Sequence, residues 1–145
     1  LLAKGAEVEP RDNAGWTPLM SAARYSSTPE IVTLLLENGA EVNARGRYGM
    51  TPLMYTAAHS SRPEIIQMLL KAGAQLETRS RDGSTPLMFA ASFSKSPEIV
   101  QALLDKGADP LARCKDGKKA IDYAKKNKNL VGTKAYQRLL EKSKE

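Results

Sequence analysis

The sequence has few of the residues that most often carry chemistry. Among its 145 residues there is one histidine, His59, and one cysteine, Cys114. A histidine-based catalytic triad, or a metal site with several histidine or cysteine ligands, therefore lacks its components. The single cysteine excludes an internal disulfide framework, and no glycine-rich loop has the spacing of a phosphate-binding motif. We predict that the chain is not an enzyme and uses no cofactor or metal, and that both residues lie at the surface.

Long apolar runs are also missing. No stretch approaches the roughly 18 apolar residues of a membrane span, and no signal peptide is visible. Residues 1–5 (LLAKG) match residues 35–39 (LLENG). We therefore expect the chain to open in the second half of a repeat. A targeting segment would lie upstream of it, so the compartment stays unknown.

A short motif recurs at a fixed step. The tetrapeptide TPLM begins at Thr17, Thr51 and Thr85, which are 34 residues apart. Two series of glycines keep the same step: Gly5, Gly39, Gly73 and Gly107, and Gly15, Gly49, Gly83 and Gly117. A fixed period of this length indicates an array of repeats, each of which buries its apolar face against its neighbours.

Each repeat unit contains a first helix. The pair Thr17-Pro18 is typical of a helix start, with threonine as the side-chain cap and proline at the first helical position. Leu19, Ala22 and Ala23 then form an apolar stripe at helical spacing. The alanines are small enough to let another helix approach closely.

A second helix follows in each unit. It begins at Pro29, is apolar on nearly all sides over residues 31–36 and ends at Gly39, so we expect it to be the buried helix of the pair. The glutamates in its first turn suit the helix dipole, namely Glu30, Glu64 and Glu98. The cap position holds Arg62 where other copies have Thr28 and Ser96. We therefore expect Arg62→Ser to stabilise the protein by about 0.5–2 kcal/mol.

The unit resembles an ankyrin repeat. The similarity lies in GWTPLMSAA at 15–23, EIVTLLL at 30–36 and GAEVN at 39–43, and it extends over almost the whole chain. It implies an all-α repeat solenoid of stacked helix-turn-helix units with β-hairpin finger loops. It also implies a single domain over 1–145, with the end of a truncated repeat at 1–11, full repeats at 12–45, 46–79 and 80–113, and a C-terminal capping repeat at 114–145. The segment NLVGTKAY at 129–136 resembles the end of some bacterial arrays.

Two features depart from the ankyrin pattern. Met20, Met54 and Met88 replace a histidine that, in the family, ties the loop to its helix by hydrogen bonds. The rigidity of the loops is therefore in question. The period of 34 is also that of tetratricopeptide repeats. However, Pro18 and Pro29 lie only eleven residues apart and Gly39 follows ten residues later, which leaves no room for two longer helices.

The resemblance implies a scaffold that binds another protein through a concave groove and the finger loops. We expect the protein to be a monomer. Positions four apart share one face of a helix, so Ser21 and Tyr25, and their counterparts in later repeats, should look outward. They form an inner column, Tyr55, Phe89 and Tyr123, and an outer column, Tyr25, His59 and Phe93. Packing or binding could explain the inner column, and we favour packing. Candidate partner-binding residues are Trp16, Arg24, Tyr25, Arg47, Tyr48, Met50, His59, Arg81 and Phe93.

Basic residues raise further alternatives. Arg11, Arg45, Arg79 and Arg113 recur at the period, either as a row for partner carboxylates or as solvated loop residues. Residues 1–114 carry 12 basic and 12 acidic side chains, whereas residues 115–145 carry 10 and 4. The alternative function is therefore a basic adaptor for nucleic acid or an anionic surface. The lysines also suit solubility, and a regulatory part of a longer chain is a third possibility.

Overall fold

The computed structural model describes residues 15–25 and 28–144, and this part of the chain contains eight α-helices. They are α1 (Pro18–Tyr25), α2 (Pro29–Glu37), α3 (Pro52–His59), α4 (Pro63–Lys71), α5 (Pro86–Phe93), α6 (Pro97–Asp105), α7 (Ala120–Ala124) and α8 (Lys134–Lys142). None of these eight helices has the length and apolar character needed to cross a membrane. The expected truncated repeat at 1–11 lies outside the described residues.

The helices pair into four units that stack in two rows. The first helices of the units, α1, α3, α5 and α7, pack against one another in chain order. The second helices, α2, α4, α6 and α8, form the other row, and each also packs against the first helix of its own unit. The main core lies between the rows, so each unit is buried by its neighbours as expected of a repeat solenoid.

The first helices start as the Thr-Pro motif predicts. The Thr17 hydroxyl accepts a hydrogen bond from the Met20 N–H at 3.3 Å, and Thr85 does the same for Met88. In return, the Sδ atom of each methionine accepts the backbone N–H of its threonine at 3.5 Å. Sulfur is a weak acceptor, yet it closes the capping box here. In these two copies, methionine thus connects the end of the loop to its helix, where the family has histidine.

The expectation that the second helix is the buried one is wrong. In α3 every residue from Pro52 to Ala58 is buried. In α2, Val32 and Leu35 are buried, but Ile31 is 48% exposed. The first helices are covered on more sides, because they lie between neighbouring first helices and their own second helix, and their alanines allow close contact. The second helices form the outer layer and keep one face in solvent.

The finger loops between repeats show tight turns rather than hairpins. We number the fingers by repeat, so that the second, third and fourth fingers have their tips at residues 46–50, 80–84 and 114–118. In the second finger the Gly46 N–H donates to Met50 O at 2.9 Å, and the Gly49 N–H donates to Gly46 O at 3.1 Å. One backbone bond joins each finger to the next, from the Arg81 N–H to Tyr48 O at 2.8 Å and from the Lys115 N–H to Asp82 O at 3.0 Å. The described residues contain no strand, so the expected β-hairpins are not confirmed.

The periodic arginines connect successive fingers. Arg45 Nη1 donates to Gly49 O at 3.0 Å and to Arg79 O, one repeat further on, at 2.6 Å. Arg79 repeats the arrangement with Gly83 O and Arg113 O. A guanidinium can do this because its five donors form a rigid fork. Arg45 and Arg79 are exposed, as expected of solvated loop residues, and they are structural links in addition. Arg11 lies outside the described residues.

The turns between the two helices of a unit rely on a different serine from the one expected. The side chains of Thr28, Arg62 and Ser96 make no cap hydrogen bond. Instead, the buried Ser60 hydroxyl accepts the Arg62 N–H at 3.0 Å, and the buried Ser94 hydroxyl accepts the Ser96 N–H at 3.1 Å. The capping role assigned to Thr28 and Ser96 is therefore wrong, and so is the reason for expecting Arg62→Ser to stabilise.

Two further expectations are wrong in the fourth unit, which contains α7 and α8. Cys114 is buried rather than at the surface, and its Sγ lies 3.2 Å from the Tyr123 hydroxyl. This hydrogen bond, with burial, raises the pKa of Tyr123 to about 12. Asn127, expected to look outward, is also buried, because its Nδ2 donates to Ala91 O at 3.1 Å and Ser94 O at 2.9 Å in the preceding repeat. Asn127 therefore connects the fourth unit to the third, whereas the Cys114–Tyr123 contact lies within the fourth unit.

Candidate protein-binding surface

The outer aromatic column lies at the ends of three first helices. Tyr25, His59 and Phe93 are the last residues of α1, α3 and α5. Tyr25 is 71% exposed, Phe93 is 58% exposed, and His59 is exposed as well. The rings of His59 and Phe93 stack with centroids 6.5 Å apart. The repeat period therefore brings three solvent-facing rings to equivalent places along the stack.

The inner column is not exposed in the same way. Tyr55 is 2% exposed, and its ring lies 4.6 Å from that of Trp16 in the preceding loop. Phe89 and Tyr123 are half-buried and pack against the main core. The expectation that the inner positions look outward is thus wrong for Tyr55, because the loop covers that turn of the helix. Packing is the right interpretation there.

Trp16, Arg24 and Tyr25 form one cluster at the first described repeat. The Trp16 and Tyr25 rings stack at 5.9 Å. The Arg24 Cζ lies 5.5 Å from the Trp16 ring centroid and 5.2 Å from that of Tyr25. These are cation–π contacts, in which the positive guanidinium of Arg24 is attracted to the faces of the two rings. Three predicted site residues are therefore in mutual contact.

His59 contributes a ring without a full positive charge. Partial burial lowers its pKa, and the nearby positive charge of Arg24 lowers it further. The imidazole is therefore mostly neutral at neutral pH, where it has one donor and one acceptor nitrogen. Beside it, between the ends of α3 and α5, a hollow of about 210 Å³ is lined by residues that include Phe93 and Lys95.

A second group of site residues lies on the fingers. Tyr48 is 57% exposed, and the Arg47 and Arg81 Cζ atoms lie 5.7 and 6.0 Å from its ring centroid. Met50 is half-buried and packs against a small cluster under the fingers that includes Tyr55. A pocket of about 390 Å³ opens between the second and third fingers and α5. This finger pocket is lined by Tyr48, Met50, Ser80, Arg81, Asp82 and Phe89.

Tyr48 adopts an unusual backbone conformation. Its φ is 60° and its ψ is 18°, and no other non-glycine residue of the described part has a positive φ. It is the third residue of the turn Gly46–Gly49, where a positive φ usually requires glycine or asparagine. The cost is about 1–2 kcal/mol. A Cβ at position 46 would lie 2.8 Å from Met20 Sδ and 3.2 Å from Gly15 O, so a larger residue there would require these atoms to shift. Strain of this kind at an exposed side chain is typical of functional sites.

Comparison with known families settles what kind of array this is. A family model described as ankyrin repeats (3 copies) matches residues 1–80, and one described as ankyrin repeats (many copies) matches residues 69–124. The chain belongs to the ankyrin-repeat family. The predicted all-α repeat solenoid is thereby confirmed. Ankyrin repeats generally mediate protein–protein interaction and are generally non-enzymatic scaffolds. No curated protein gives a significant match to the chain.

Three residues that line the finger pocket were not among the predicted site residues, namely Ser80, Asp82 and Phe89. Phe89 lines the finger pocket, and its ring stacks on Phe93 at 6.4 Å, which connects the pocket to the outer column. Asp82 accepts hydrogen bonds from the Ser80 hydroxyl and the Ser84 N–H. The Ser80 hydrogen bond is the main cause that lowers the pKa of Asp82. The sequence Asp-Gly-Ser at 82–84 is a turn signal that could have pointed to Asp82.

Proposed function

We propose that this ankyrin array binds a partner protein through its first helices and finger loops. The observation that carries the proposal is the exposure of Tyr25 and Phe93 at equivalent helix ends. Aromatic and arginine side chains dominate the binding energy of protein interfaces. The proposed surface is made of Trp16, Arg24, Tyr25, Arg47, Tyr48, Met50, His59, Arg81 and Phe93.

The outer column suits binding better than it suits folding. An exposed ring contributes little buried area to the folded chain, whereas burying it against a partner removes apolar surface from water. Tyr55, one turn earlier, already fills the packing role in its repeat. Replacing the outer rings should therefore change binding far more than it changes stability.

A catalytic role receives no support from the placement of the two scarce residues. Cys114 is buried against Tyr123 in the fourth unit, and His59 ends α3 in the second unit. A nucleophile and its base must lie within hydrogen-bond reach of each other. The proposal is therefore a binding protein without catalysis, cofactor or metal.

The test is affinity capture from a lysate of the source organism, with the array as bait. The variant Tyr25→Ser/His59→Ser/Phe93→Ser runs beside wild type, and Ile31→Ser/Val131→Ser is the matched control that removes exposed apolar side chains elsewhere. Circular dichroism verifies that each bait is folded. We expect the captured protein to be lost with the triple variant and kept with the control. Undiminished capture by a folded triple variant would contradict the proposed surface.

The basic capping repeat provides the second candidate function. Its lysines at 115, 118, 125, 126 and 128 are exposed, so nucleic acid or an anionic surface is a possible partner there. Contacts with phosphates release counterions and depend steeply on salt. The capture is therefore repeated at raised salt. If nucleic acid is captured equally by wild type and by the triple variant, and is released at raised salt, the binding function belongs to this basic repeat.

A further inference from the structure

We propose that the finger pocket binds one large apolar side chain from a short acidic segment of the partner protein. The inference rests on the proposed function and adds the chemistry of the partner to it. The pocket lies between neighbouring fingers, above the first-helix residue Phe89. Its volume of about 390 Å³ falls within the range of protein sites that hold a bound group.

The walls of the pocket favour an apolar occupant. Tyr48 and Phe89 present rings and Met50 presents a flexible thioether chain, which adapts to apolar shapes. Two of the three polar side chains that line the pocket are paired with each other or with their own turn: the Ser80 hydroxyl donates to Asp82, and Asp82 also accepts the Ser84 N–H. The third, Arg81, belongs to the charged rim. A polar occupant would lose its water there and gain little in return, whereas an apolar side chain loses nothing.

The rim of the pocket favours negative charge beside that apolar side chain. Arg47 and Arg81 are exposed and lie over the Tyr48 ring at 5.7 and 6.0 Å. Lys115 adds a third exposed positive charge on the next finger. Its backbone N–H donates a hydrogen bond to the Asp82 carbonyl. Among the described residues that line the pocket, Asp82 is the one carboxylate, and its own turn supplies it with hydrogen bonds. The excess positive charge is complementary to an acidic segment.

Among the fingers whose turn residues the structure describes, the strained tyrosine makes the second finger differ in conformation from the two that follow it. The turn residues equivalent to Tyr48 in the next fingers are Asp82 and Asp116, and neither has a positive φ. Glycine would fit the Tyr48 backbone without strain. The chain instead has a tyrosine whose ring forms a wall of the pocket between two arginines. Strain at an exposed side chain that lines a pocket points to binding at Tyr48.

The test uses short fluorescein-labelled peptides with one central residue, either leucine, phenylalanine or alanine, flanked on both sides by glutamates. A matched set has lysines in place of the glutamates. Fluorescence anisotropy with the folded chain gives the affinities. We expect the acidic leucine or phenylalanine peptide to bind at least about tenfold more tightly than the alanine peptide. The lysine set should bind more weakly than the acidic set.

Two variants assign the binding to the pocket. Arg81→Glu and Tyr48→Gly should each weaken the acidic peptide by about tenfold or more. Lys106→Glu, an equal change of charge at the end of α6, is the matched control and should leave the affinity unchanged. Glycine relieves the positive φ of residue 48, so Tyr48→Gly should keep or raise the denaturation midpoint. This separates loss of binding from loss of folding.

The contrary outcomes are distinct from failure of the proposed function. Equal affinities for the leucine and alanine peptides, no binding of any acidic peptide, or full binding by Tyr48→Gly would each overturn the inference. Free indole is tested as a small aromatic probe. If it binds as tightly as the acidic phenylalanine peptide, the pocket is a small-molecule site instead. A partner lost with the Tyr25/His59/Phe93 variant but retained by Tyr48→Gly would leave the protein-binding function and remove the pocket from it.

Discussion

At the scale of single residues, His59 gives the protein a defined pH response. Its pKa is lowered from 6.5, first by burial and then by the charge of Arg24, so the folded state binds a proton less readily than the unfolded state. The stability associated with the neutral ring is present above the unfolded pKa near 6.5, and it is lost as the pH falls through the folded pKa. The pH window of this loss therefore lies below 6.5.

Because His59 is the one histidine of the chain, NMR titration of its ring protons reports this pKa without ambiguity. We expect a value below 6.5 in wild type and a rise towards 6.5 in Arg24→Gln, since a repelling charge is removed. Lys142→Gln, at the exposed end of α8, is the control and should change nothing. Denaturant titrations should show that acidification below 6.5 weakens wild type more than His59→Gln. A His59 pKa of 6.5 or higher would show that burial and Arg24 do not act as described.

The outer column was accessible to sequence reasoning, but the burial of individual residues was not. The repeat period places Tyr25, His59 and Phe93 at equivalent positions whatever surrounds them. Whether Tyr55 is exposed depends on the Trp16 ring, which comes from a separate loop. Cys114 is likewise buried by a contact with Tyr123. Contacts of this kind leave no periodic signal in the sequence.

At the scale of elements, similar sequence signals correspond to different hydrogen bonds. The Thr-Pro pairs at 17–18, 51–52 and 85–86 begin helices with the predicted side-chain caps. Ser96-Pro97 looks alike, yet Ser96 is held by the hydroxyl of Ser94. A cap requires the hydroxyl to reach the third N–H of the helix, and the turn between the helices decides this. The sequence predicts where the helix begins but not which side chain holds it.

The observed turn gives a revised prediction for Arg62. Arg62→Ser should leave the free energy of unfolding within about 0.5 kcal/mol of wild type, because the equivalent Ser96 makes no cap bond. The exposed Arg62–Glu64 ion pair at 3.6 Å is worth little. Ser60→Ala, by contrast, should cost about 1 kcal/mol, since it removes the acceptor for a backbone N–H. Urea titration measures both, and a clear gain for Arg62→Ser would restore a capping role at that position.

At the scale of the whole molecule, the repeat period itself explains the arginine links. An array of this kind is stabilised within each unit and between nearest neighbours. Arg45 reaches Arg79 O, its own equivalent position one repeat later, and Arg79 reaches Arg113 O. The column of arginines is visible in the sequence. The hydrogen bonds that these arginines make are not visible there, because a backbone carbonyl acceptor can belong to any residue type.

Arg45→Ala should therefore reduce the coupling between the second and third fingers. We expect it to lower the free energy of unfolding by about 1–3 kcal/mol, because carbonyl groups lose a charged donor. Arg47→Ala, two residues later, removes an exposed guanidinium that stacks on Tyr48, and it should have little effect. The fluorescence of Trp16, the one tryptophan, reports on the first unit, whereas circular dichroism reports on all the helices.

In wild type the two signals should follow one urea transition, as in a strongly coupled array. In Arg45→Ala the Trp16 transition should move to lower urea than the circular dichroism transition, since the first two units then unfold with less support from the third. Arg47→Ala should keep the two transitions together. Coincident transitions and an unchanged midpoint in Arg45→Ala would mean that water replaces the guanidinium at these carbonyls without cost. The coupling would then come from the packing of the first helices alone.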